Sequence, residues 1–390
     1  MVSITDVARL AGFSTATVSR VLSQSPYPVH HDTRERVLAA AAELGFRPNR
    51  LARGLVTART NMVAVIVHDI SDPYFGEVVR ALEDASRRHG YQLLTSSSDR
   101  NPERELQWLE ILLSYRVDGL VFAGSIIEDR PYQAKLREQL LQFRASGRSV
   151  VRLAPHLSVL PGITIDQRKA AAAATNYLLD LGHRRIGVLA GPSEVRASRH
   201  RLEGHLKALT AAGIRTDEAL IEASSFSSAG GAKGLVQLLR RAPDITAVFA
   251  TSDALAIGAL QPLAAAGIDV PNDVSLIGFN DVTLARYVSP PLTTMHVPIV
   301  QQASEVFDLL IDGLEGRQQR SRRLQAWLVE RGSATQPRRT GDVPAGVLSR
   351  LRAEGHVEGR GQAASWGSDN ESVAAHISQH AQPDGGAVEE

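Results

Sequence analysis

The sequence predicts an all-α headpiece within the first sixty residues, followed by an α/β core of two doubly wound parallel-sheet lobes. Two observations lead to this fold class. Residues 1–60 show helical apolar periodicity and no strand-like run, whereas residues 61–335 alternate short β-branched runs with helical stretches. Strands that are buried on both faces read as continuous apolar runs, and the length of the core suits two such units.

The headpiece pattern begins with two helices joined by a tight turn. The apolar positions of the first helix share one face: Ile4, Val7, Ala8 and Ala11. Gly12 supplies the backbone freedom for the turn, and Ser14 or Thr15 can cap the second helix. The apolar positions of that second helix face inward: Val18, Val21 and Leu22. Two helices joined by a four-residue turn that contains Gly describe a helix-turn-helix.

A third helix is predicted from about Asp32 to Leu44, ending at Gly45. Glu35 follows Asp32 by three residues, which is the spacing of a capping box. This helix would complete a small helical bundle.

The second helix presents a polar face opposite its apolar seam: Thr15, Thr17, Ser19 and Arg20. In a helix-turn-helix such a face enters the major groove of DNA, where Arg discriminates guanine by about 1–3 kcal/mol. The alternative is a small helical bundle with a solvated Arg, and these helices alone do not decide between the two.

A basic segment, residues 47–55, separates the headpiece from the first strand. Its one or two helical turns would be marginal in water, so the segment could fold only when bound. Leu55 is the kind of apolar wedge that opens a base step from the minor groove. The alternative is an ordinary basic linker with one buried Leu.

The core pattern predicts strands and helices in alternation. The predicted strands are residues 63–67, 119–122, 149–153, 186–189, 247–249 and 274–277. The predicted helices are residues 75–88, 103–114, 169–181, 202–212, 229–240 and 254–266. Glycines that suit a left-handed helix end follow four of them: Gly90, Gly182, Gly213 and Gly267.

Charge and composition exclude several classes of protein. The formal charge of +1 divides into +4 for residues 1–60, zero for the core and −3 for residues 336–390, a tail that we expect to be mostly disordered. Because Cys is absent, no disulfide framework or thiolate metal site is possible. We find no signal peptide and no apolar stretch long enough to cross a membrane, and so expect a cytoplasmic protein that makes no membrane contact.

Several motifs closely resemble LacI/GalR-type transcriptional repressors. In the headpiece they are Ile4-Thr5-Asp6-Val7-Ala8, Ala11-Gly12, Ser14 to Leu22, Thr33 to Val37 and Leu44 to Asn49. In the core they are Leu181 to Ile186, Ala190-Gly191-Pro192, Arg201 with Gly204, Val274 to Asp281 and Pro291 to Thr294. The resemblance covers residues 3 to about 335, and it is specific because the motifs keep their order.

The resemblance implies a helix-turn-helix headpiece (1–47), a hinge helix and linker (48–60) and a core (61–335) of two lobes like a periplasmic sugar-binding protein. Thr15, Ala16 and Arg20 would face base edges, and the residues expected to hold phosphates are Ser14, Thr17 and Ser19. Those that match the hinge are Asn49, Ala52 and Leu55, with Leu55 as the wedge at the operator centre. His30 stands where a capping Ser is common, which costs the third helix a cap unless Asp32 replaces it.

The resemblance also implies an effector site between the lobes. The residues that match its binding positions are Asp72, Tyr74, Phe75, Asp166, Arg201, Phe226, Ser252 and Asn280, with Asp281 beside Asn280. Ser252 and Gln167 stand where many members carry Asn. Carboxylates, an Arg and an aromatic face suit a polyol such as a sugar. Three alternatives stay open: Asp281 as a cap, Phe226 as lobe core, and Arg201 paired with Glu203 or Glu194.

Catalytic signatures are poor. His200 and His205 flank Glu203, but a spacing of five does not place both on one helix face, so we interpret them as surface histidines. We expect no enzyme, cofactor or metal site. The prediction is a homodimeric regulator, most simply a repressor, that binds a pseudo-palindromic operator on double-stranded DNA and responds to a small molecule, a carbohydrate by expectation. The rivals are a periplasmic-type binding protein and a sugar- or nucleotide-processing enzyme.

Overall fold

The headpiece is a bundle of three short helices. The structure is a computed structural model that describes residues 2–22, 28–47 and 59–337. The headpiece helices are α1 (Ile4–Ala11), α2 (Thr15–Leu22) and α3 (His31–Glu43). Val7, Val18 and Val37, one from each helix, are fully buried against one another. The predicted apolar faces of the first two helices therefore form a single small core.

Local hydrogen bonds define the helix-turn-helix. Ser3 and Asp6 form a capping box at the start of α1, and Gly12 ends that helix with a φ of 74°. Arg36 of α3 donates a 3.0 Å hydrogen bond from Nη2 to the carbonyl oxygen of Ala11. The end of α1 is therefore stabilised both by the conformation of Gly12 and by a hydrogen bond from α3.

The capping box predicted for the third helix is wrong. The helix begins at His31, and its N-cap residue His30 makes no side-chain capping bond. Asp32 lies inside the first turn, where its side chain cannot cap its own helix. The Asp32 and Glu35 carboxylates instead lie 3.8 Å to 3.9 Å from the two exposed imidazoles.

The core contains two main sheets, which confirms the predicted pair of doubly wound lobes. The strands of the first sheet are β1 (Met62–Val67), β2 (Gln92–Ser97), β3 (Gly119–Phe122) and β4 (Ser149–Arg152). Those of the second are β6 (Ile186–Ala190), β7 (Ile221–Ala223), β8 (Ala247–Ala250), β9 (Ser275–Asn280), β10 (Thr293–His296) and β12 (Trp327–Val329). The first sheet is parallel, with strand order β2-β1-β3-β4. The second has order β12-β10-β9-β8-β6-β7, and within it only β12 is antiparallel to its neighbour.

Helices cover the faces of both sheets. Those of the first lobe are α4 (Pro73–Arg88), α5 (Pro102–Ser114), α6 (Arg130–Ala145) and α11 (Ile299–Leu314). Those of the second lobe are α7 (Gln167–Asp180), α8 (Arg196–Ala211), α9 (Ser228–Arg241) and α10 (Asp253–Ala265). The four predicted stop glycines all have positive φ, between 68° and 103°. The predicted start of α8 at residue 202 is late by six residues because the first turns of that helix are polar.

The chain crosses between the lobes more than once. Helix α11 comes late in the chain, yet its Leu310 lies so close to Gly119 of β3 that a Cβ there would be 2.8 Å from it. A small parallel pair, β5 (Ile163–Ile165) and β11 (Arg322–Leu324), links two of the crossings. The lobes are therefore joined by several strands rather than by a single linker.

Part of the predicted organisation lies outside the described residues. This applies to residues 48–58 of the hinge, including Asn49, Ala52 and Leu55, and to the tail from residue 338. The domain boundaries at the hinge and the tail stay predictions. Within the described ranges, no helix is both long and apolar enough to cross a bilayer.

Candidate functional site

Helix α2 presents most of the predicted DNA-contacting side chains to solvent. The exposed residues are Ser14, Thr15, Ala16, Ser19 and Arg20. Thr17 is half-buried, and its backbone N–H donates to the Ser14 Oγ at 3.2 Å, so Ser14 caps the helix. The two hydroxyl oxygens lie 2.9 Å apart. Short polar side chains on a rigid helix face match what a helix-turn-helix presents to a groove.

A cavity between the lobes collects seven of the eight predicted effector residues. They are Asp72, Tyr74, Phe75, Arg201, Phe226, Ser252 and Asn280. Its volume of about 60 Å³ is room for only a few water molecules. A larger ligand therefore requires the lobes to separate or lining side chains to move.

Arg201 of α8 is the central cation of this cleft. Its guanidinium donates to the Oε1 of Gln167 at 2.8 Å, to the carbonyl oxygen of Thr251 at 2.6 Å and to the Oδ1 of Asn280 at 3.2 Å. Its Cζ lies 3.8 Å from the ring centroid of Phe279. Burial lowers the pKa of Arg201 to about 10, so it stays charged at neutral pH. These bonds use three of its five N–H donors, which leaves two for a ligand.

Glu203 and Glu194, the alternative partners of Arg201, form hydrogen bonds with other residues. Glu203 accepts a 2.5 Å hydrogen bond from the Nε of Arg168 and lies 3.6 Å from the Nε of Arg199. Glu194 hydrogen-bonds to its neighbour Ser193 at 3.5 Å. Arg201 is only 6% exposed, so surface pairing does not describe it.

Asp72 combines a helix cap with an ion pair inside the cleft. Its Oδ1 accepts a 3.1 Å hydrogen bond from the backbone N–H of Tyr74, and its Oδ2 lies 3.8 Å from the Nη2 of Arg100. Burial raises the pKa of Asp72, and the Tyr74 hydrogen bond and the Arg100 charge act in the opposite direction. The carboxylate therefore depends on its neighbours to stay ionised.

The sequence patterns did not reveal Arg100, which faces Phe226 across the cleft. Its guanidinium carbon lies 5.6 Å from the centre of the Phe226 ring, within cation–π range. Its Nε is buried and has no hydrogen-bond partner among the described residues. Arg100 lies in the loop after β2 with a positive φ of 58°, and no sequence motif marks it for this site.

Phe226 spans the gap between the lobes. Its ring lies over Gly191, where a Cβ would be only 2.1 Å from the Phe226 Cζ. The half-buried ring also packs against the apolar core of the first lobe. Phe226 thus lines the cavity while covering that core, which agrees with the lobe-core alternative, and its contact with a ligand stays a prediction.

A buried carboxylate organises the loop that carries Asn280. Asp253 of α10 accepts a 2.5 Å hydrogen bond from Thr294 Oγ1 and a 2.8 Å bond from the Val282 backbone N–H. Burial raises the pKa of Asp253 to about 6. Next to this loop, Asn280 and Asp281 have φ values of 120° and 59°. Asp253 therefore acts as a positioning residue for an unusual strand end, and Ser252 before it caps α10 through the Leu255 N–H.

Asp281 does not line the cleft with Asn280. Its carboxylate lies 2.8 Å from the Nδ1 of His296 and accepts a 2.5 Å hydrogen bond from Arg331. The short helical turn that follows it has no side-chain cap, so the capping alternative is not what the structure shows. Asp281 therefore belongs to a largely buried ion-pair cluster with His296 and Arg331.

Asp166 also lies apart from the other predicted effector residues. It caps α7 by accepting from the Lys169 N–H at 3.0 Å, and its Oδ2 lies 3.4 Å from Arg323. The next residue, Gln167, is the one that reaches the cleft. Asp166 lines a second, larger cavity.

Two histidines of the core, His68 and His205, are buried. The sequence patterns do not single out His68, and they place His205 on the surface. His68, directly after β1, lines the cleft, and its Nε2 has no hydrogen-bond partner in the part of the chain that the structure describes. Burial lowers the pKa of His68 to about 4. His205 is 1% exposed, and its Nδ1 lies 2.9 Å from the Thr175 hydroxyl. The interpretation of His205 as a surface histidine is therefore wrong, because the face of α8 that it occupies packs on α7.

The helix-turn-helix and the two-lobed core with a polar cleft together define a DNA-binding regulator with a ligand-binding domain. Residues 3–49 match the family described as bacterial regulatory proteins, lacI family, and residues 175–334 match a periplasmic binding protein-like domain. The chain is 37% identical over 332 residues to the HTH-type transcriptional repressor CytR of Escherichia coli K12, which covers 84% of this chain and 95% of that protein. The chain belongs to the LacI family of transcriptional regulators.

Solved structures show the same architecture. A transcriptional regulator CelR–cellobiose complex aligns with a TM-score of 0.63 at 33% identity, covering 86% of this chain and all of that one. The lac repressor dimer bound to operator and the anti-inducer ONPF aligns with a TM-score of 0.75 at 26% identity, covering 86% and 99%. The predicted fold class and family are confirmed, and so is the prediction that the protein is not an enzyme.

Proposed function

We propose that this protein is a repressor that binds a pseudo-palindromic operator as a homodimer and is controlled by a carbohydrate bound between the core lobes. The observation that carries the effector part is Arg201, a buried charge at the centre of the cleft with two N–H donors to spare. A buried guanidinium with unused donors is costly unless a ligand completes its hydrogen bonds. The lac repressor dimer on its operator and the cellobiose complex of CelR support the same scheme for relatives of this fold.

In this proposal helix α2 and the hinge bind the DNA. In this proposal Thr15, Ala16 and Arg20 contact base edges, while Ser14, Thr17 and Ser19 hold phosphates and thereby fix the register. Ala16 offers only a methyl group to its base step. The hinge residues are Asn49, Ala52 and Leu55, with Leu55 as the minor-groove wedge. Because the target is DNA, we place the protein in the cytoplasm.

In this proposal the charged, polar and aromatic side chains of the cleft bind the sugar. Asp72, Arg100 and Arg201 offer charged acceptors and donors for paired hydroxyls, and Phe226 offers an apolar face for the C–H side of a sugar ring. Ser252 and Asn280 complete the polar wall, with Tyr74 and Phe75 opposite. This combination of a few polar groups with aromatic rings is typical of carbohydrate sites. Asp166 would act at the edge of the lobes rather than on the ligand.

Control of DNA binding follows from a change in lobe arrangement. The cleft is too small for a sugar as it stands, and in this proposal the sugar binds to an arrangement in which the lobes are further apart. An effector shifts such an equilibrium only by its differential affinity for the two arrangements, commonly about 1–3 kcal/mol. The hinge before residue 59 would transmit that difference to the headpieces of the dimer.

Two measurements test the proposal. Selection of the full-length protein against random duplexes at low salt should enrich a symmetric site, and failure to enrich one would overturn the operator assignment. A thermal-shift panel of sugars and other metabolites should show a rise in Tm with a sugar, because a ligand of the folded state stabilises it. If only a non-carbohydrate class raised the Tm, the carbohydrate assignment would be wrong while the repressor assignment stood.

A further inference from the structure

A second cavity lies beside the strands that join the lobes. Its volume is about 660 Å³, which is within the range of small-molecule sites. The loop after β4 supplies one wall, helices α7 and α8 supply the other, and β11 closes one end. The basic residues that line it are Arg152, Arg168, Lys169, Arg196, Lys207 and Arg323. The acidic residues that line it are Asp166 and Glu203.

Half of these cations are already neutralised by carboxylates. The Nε of Arg168 donates to Glu203 at 2.5 Å, and Arg323 lies 3.4 Å from Asp166. Arg196 is held by Glu128, a residue outside the cavity lining, through a 2.6 Å bond. These pairs use both acids on the wall, and the remaining three cations have no carboxylate partner among the described residues.

Arg152 is the most enclosed of the uncompensated cations. It donates to the carbonyl oxygens of Leu160 at 2.9 Å and Ala154 at 3.4 Å, and it has no carboxylate partner among the described residues. Burial lowers the pKa of Arg152, and the neighbouring charges of Arg196 and Arg323 lower it further. A half-buried guanidinium surrounded by like charges is a position that an anion would stabilise.

The other two uncompensated cations are lysines. Lys169 of α7 and Lys207 of α8 are exposed, and neither makes an ion pair within the part of the chain that the structure describes. Burial lowers the pKa of His200 on the same wall, and the charges of Arg168, Arg199 and Arg196 lower it further against the opposing effect of Glu203. The cavity therefore carries a positive potential from several directions.

We infer that this cavity binds a small polyvalent anion, a molecule that carries a phosphate group. Three cations that have no carboxylate partner among the described residues line it from both lobes, Arg152 from the first and Lys169 and Lys207 from the second. His156, also on the wall, is 3% exposed, and its Nδ1 has no partner among the described residues. Guanidinium and ammonium groups around a concave surface are the arrangement that recognises phosphate.

An anion held here would connect the lobes. It would contact cations of both lobes beside the β5–β11 pair, where the chain crosses between them. Gln167 lines this cavity as well as the effector cleft, and it accepts the hydrogen bond from Arg201. The site adjoins the cleft without using the residues proposed to bind the sugar, so it can be tested apart from the proposed function.

The four lysines of the chain provide a matched experiment. Lys169 and Lys207 line the cavity, whereas Lys135 on α6 and Lys233 on α9 are also exposed but lie elsewhere. The variant Lys169→Gln/Lys207→Gln and the control Lys135→Gln/Lys233→Gln remove the same charge. Both leave the Arg residues of the headpiece unchanged, so phosphate bound to the DNA-binding surface contributes equally to the two.

The measurement is calorimetric titration of the full-length protein with inorganic phosphate and pyrophosphate at constant ionic strength. We expect pyrophosphate to bind more tightly than phosphate, and its affinity to fall by roughly tenfold in the cavity variant alone. Arg152→Gln should remove detectable binding, with a thermal melt to check that it folds. If the two lysine variants bind equally, or if neither anion binds the parent protein, the site does not exist.

Discussion

Arg201 on α8 donates a 3.2 Å hydrogen bond to Asn280 at the end of β9. The two residues are 79 positions apart, and both are nearly buried. Asn280 adopts a φ of 120°, which an L-residue adopts only when its surroundings require it. The bond therefore couples the central cation of the cleft to a strained strand end in the same lobe.

Replacing Arg201 should separate effector response from DNA binding. In Arg201→Ala, Gln167 and Asn280 lose a charged donor, and we expect a loss of about 1–3 kcal/mol in the free energy of unfolding. Operator affinity in a gel shift should persist, but the effector should no longer alter it. Arg199→Ala, on the same helix but outside the cleft, is the control. A full response in the Arg201 variant would move the effector site elsewhere.

Replacing Arg20 should remove sequence selectivity. Because Arg20 is exposed on α2 and is proposed to grip a guanine, Arg20→Ala should lower affinity for the selected site by roughly tenfold to hundredfold. Affinity for unrelated duplexes should change far less, since phosphate contacts carry it. Arg9→Ala on α1 removes an equal charge from the headpiece as a control. Retained site preference in the Arg20 variant would contradict the groove assignment.

Asp118 should control how firmly the chain after the hinge is held to the core. Its carboxylate, 5% exposed, accepts from the backbone N–H groups of Thr60 at 2.9 Å and Asn61 at 2.8 Å. In Asp118→Ala these partly buried donors lose their charged acceptor, which should cost about 1–3 kcal/mol of unfolding free energy.

The same variant should weaken the effect of ligand on operator affinity, because the start of the core would no longer be held rigidly to the first lobe. Chemical denaturation and ligand-dependent gel shifts measure the two effects. Asp180→Ala, at the exposed end of α7, is a control with the same change of charge. Unchanged stability in the Asp118 variant would show that the tether is dispensable.

Acid should destabilise the core through His205. Burial lowers the pKa of His205 from 6.5 to about 4, so the unfolded chain binds a proton over that interval and the folded protein does not. The stabilisation is present above pH 6.5 and is lost as the pH falls towards 4, by about 3 kcal/mol.

In His205→Asn this part of the pH dependence should disappear from urea-unfolding free energies measured between pH 4 and 7, even though the variant is less stable overall. His31→Asn, at an exposed headpiece position, should retain the parent slope. An identical slope in the His205 variant would mean that other groups carry the acid sensitivity.

Local patterns in the sequence predicted most elements of the fold. The apolar faces around Val7 and Val18 and the stop glycines such as Gly182 depend only on neighbours within one turn or one strand, so they could be read from the sequence. The strand β2 (Gln92–Ser97) was not predicted, because its polar residues lie at the edge of a sheet. The cap of α3 was mispredicted because one residue of shift moves a side chain from a capping position into the first turn.

The candidate site was predictable only where a family motif marks it. Arg201 and Asn280 belong to such motifs, and the structure brings them together. Arg100 and His68 belong to none, and they became visible only when α4, β1 and the second lobe were seen around one cavity. Asp166 matched a motif position, yet it caps a helix on the outside of the cleft.

The sequence by itself determined the helix-turn-helix, the alternating core, the absence of Cys chemistry and the family. These properties depend on local periodicity and on motifs that neighbouring residues carry together. Only the tertiary structure decided that Arg100 faces Phe226, that Asp253 supports the loop of Asn280, and that Arg152 shares a cavity with the lysines of α7 and α8. The chain crosses between its lobes several times, so which distant residues meet, and which charges lose their water, depends on packing that no local pattern encodes.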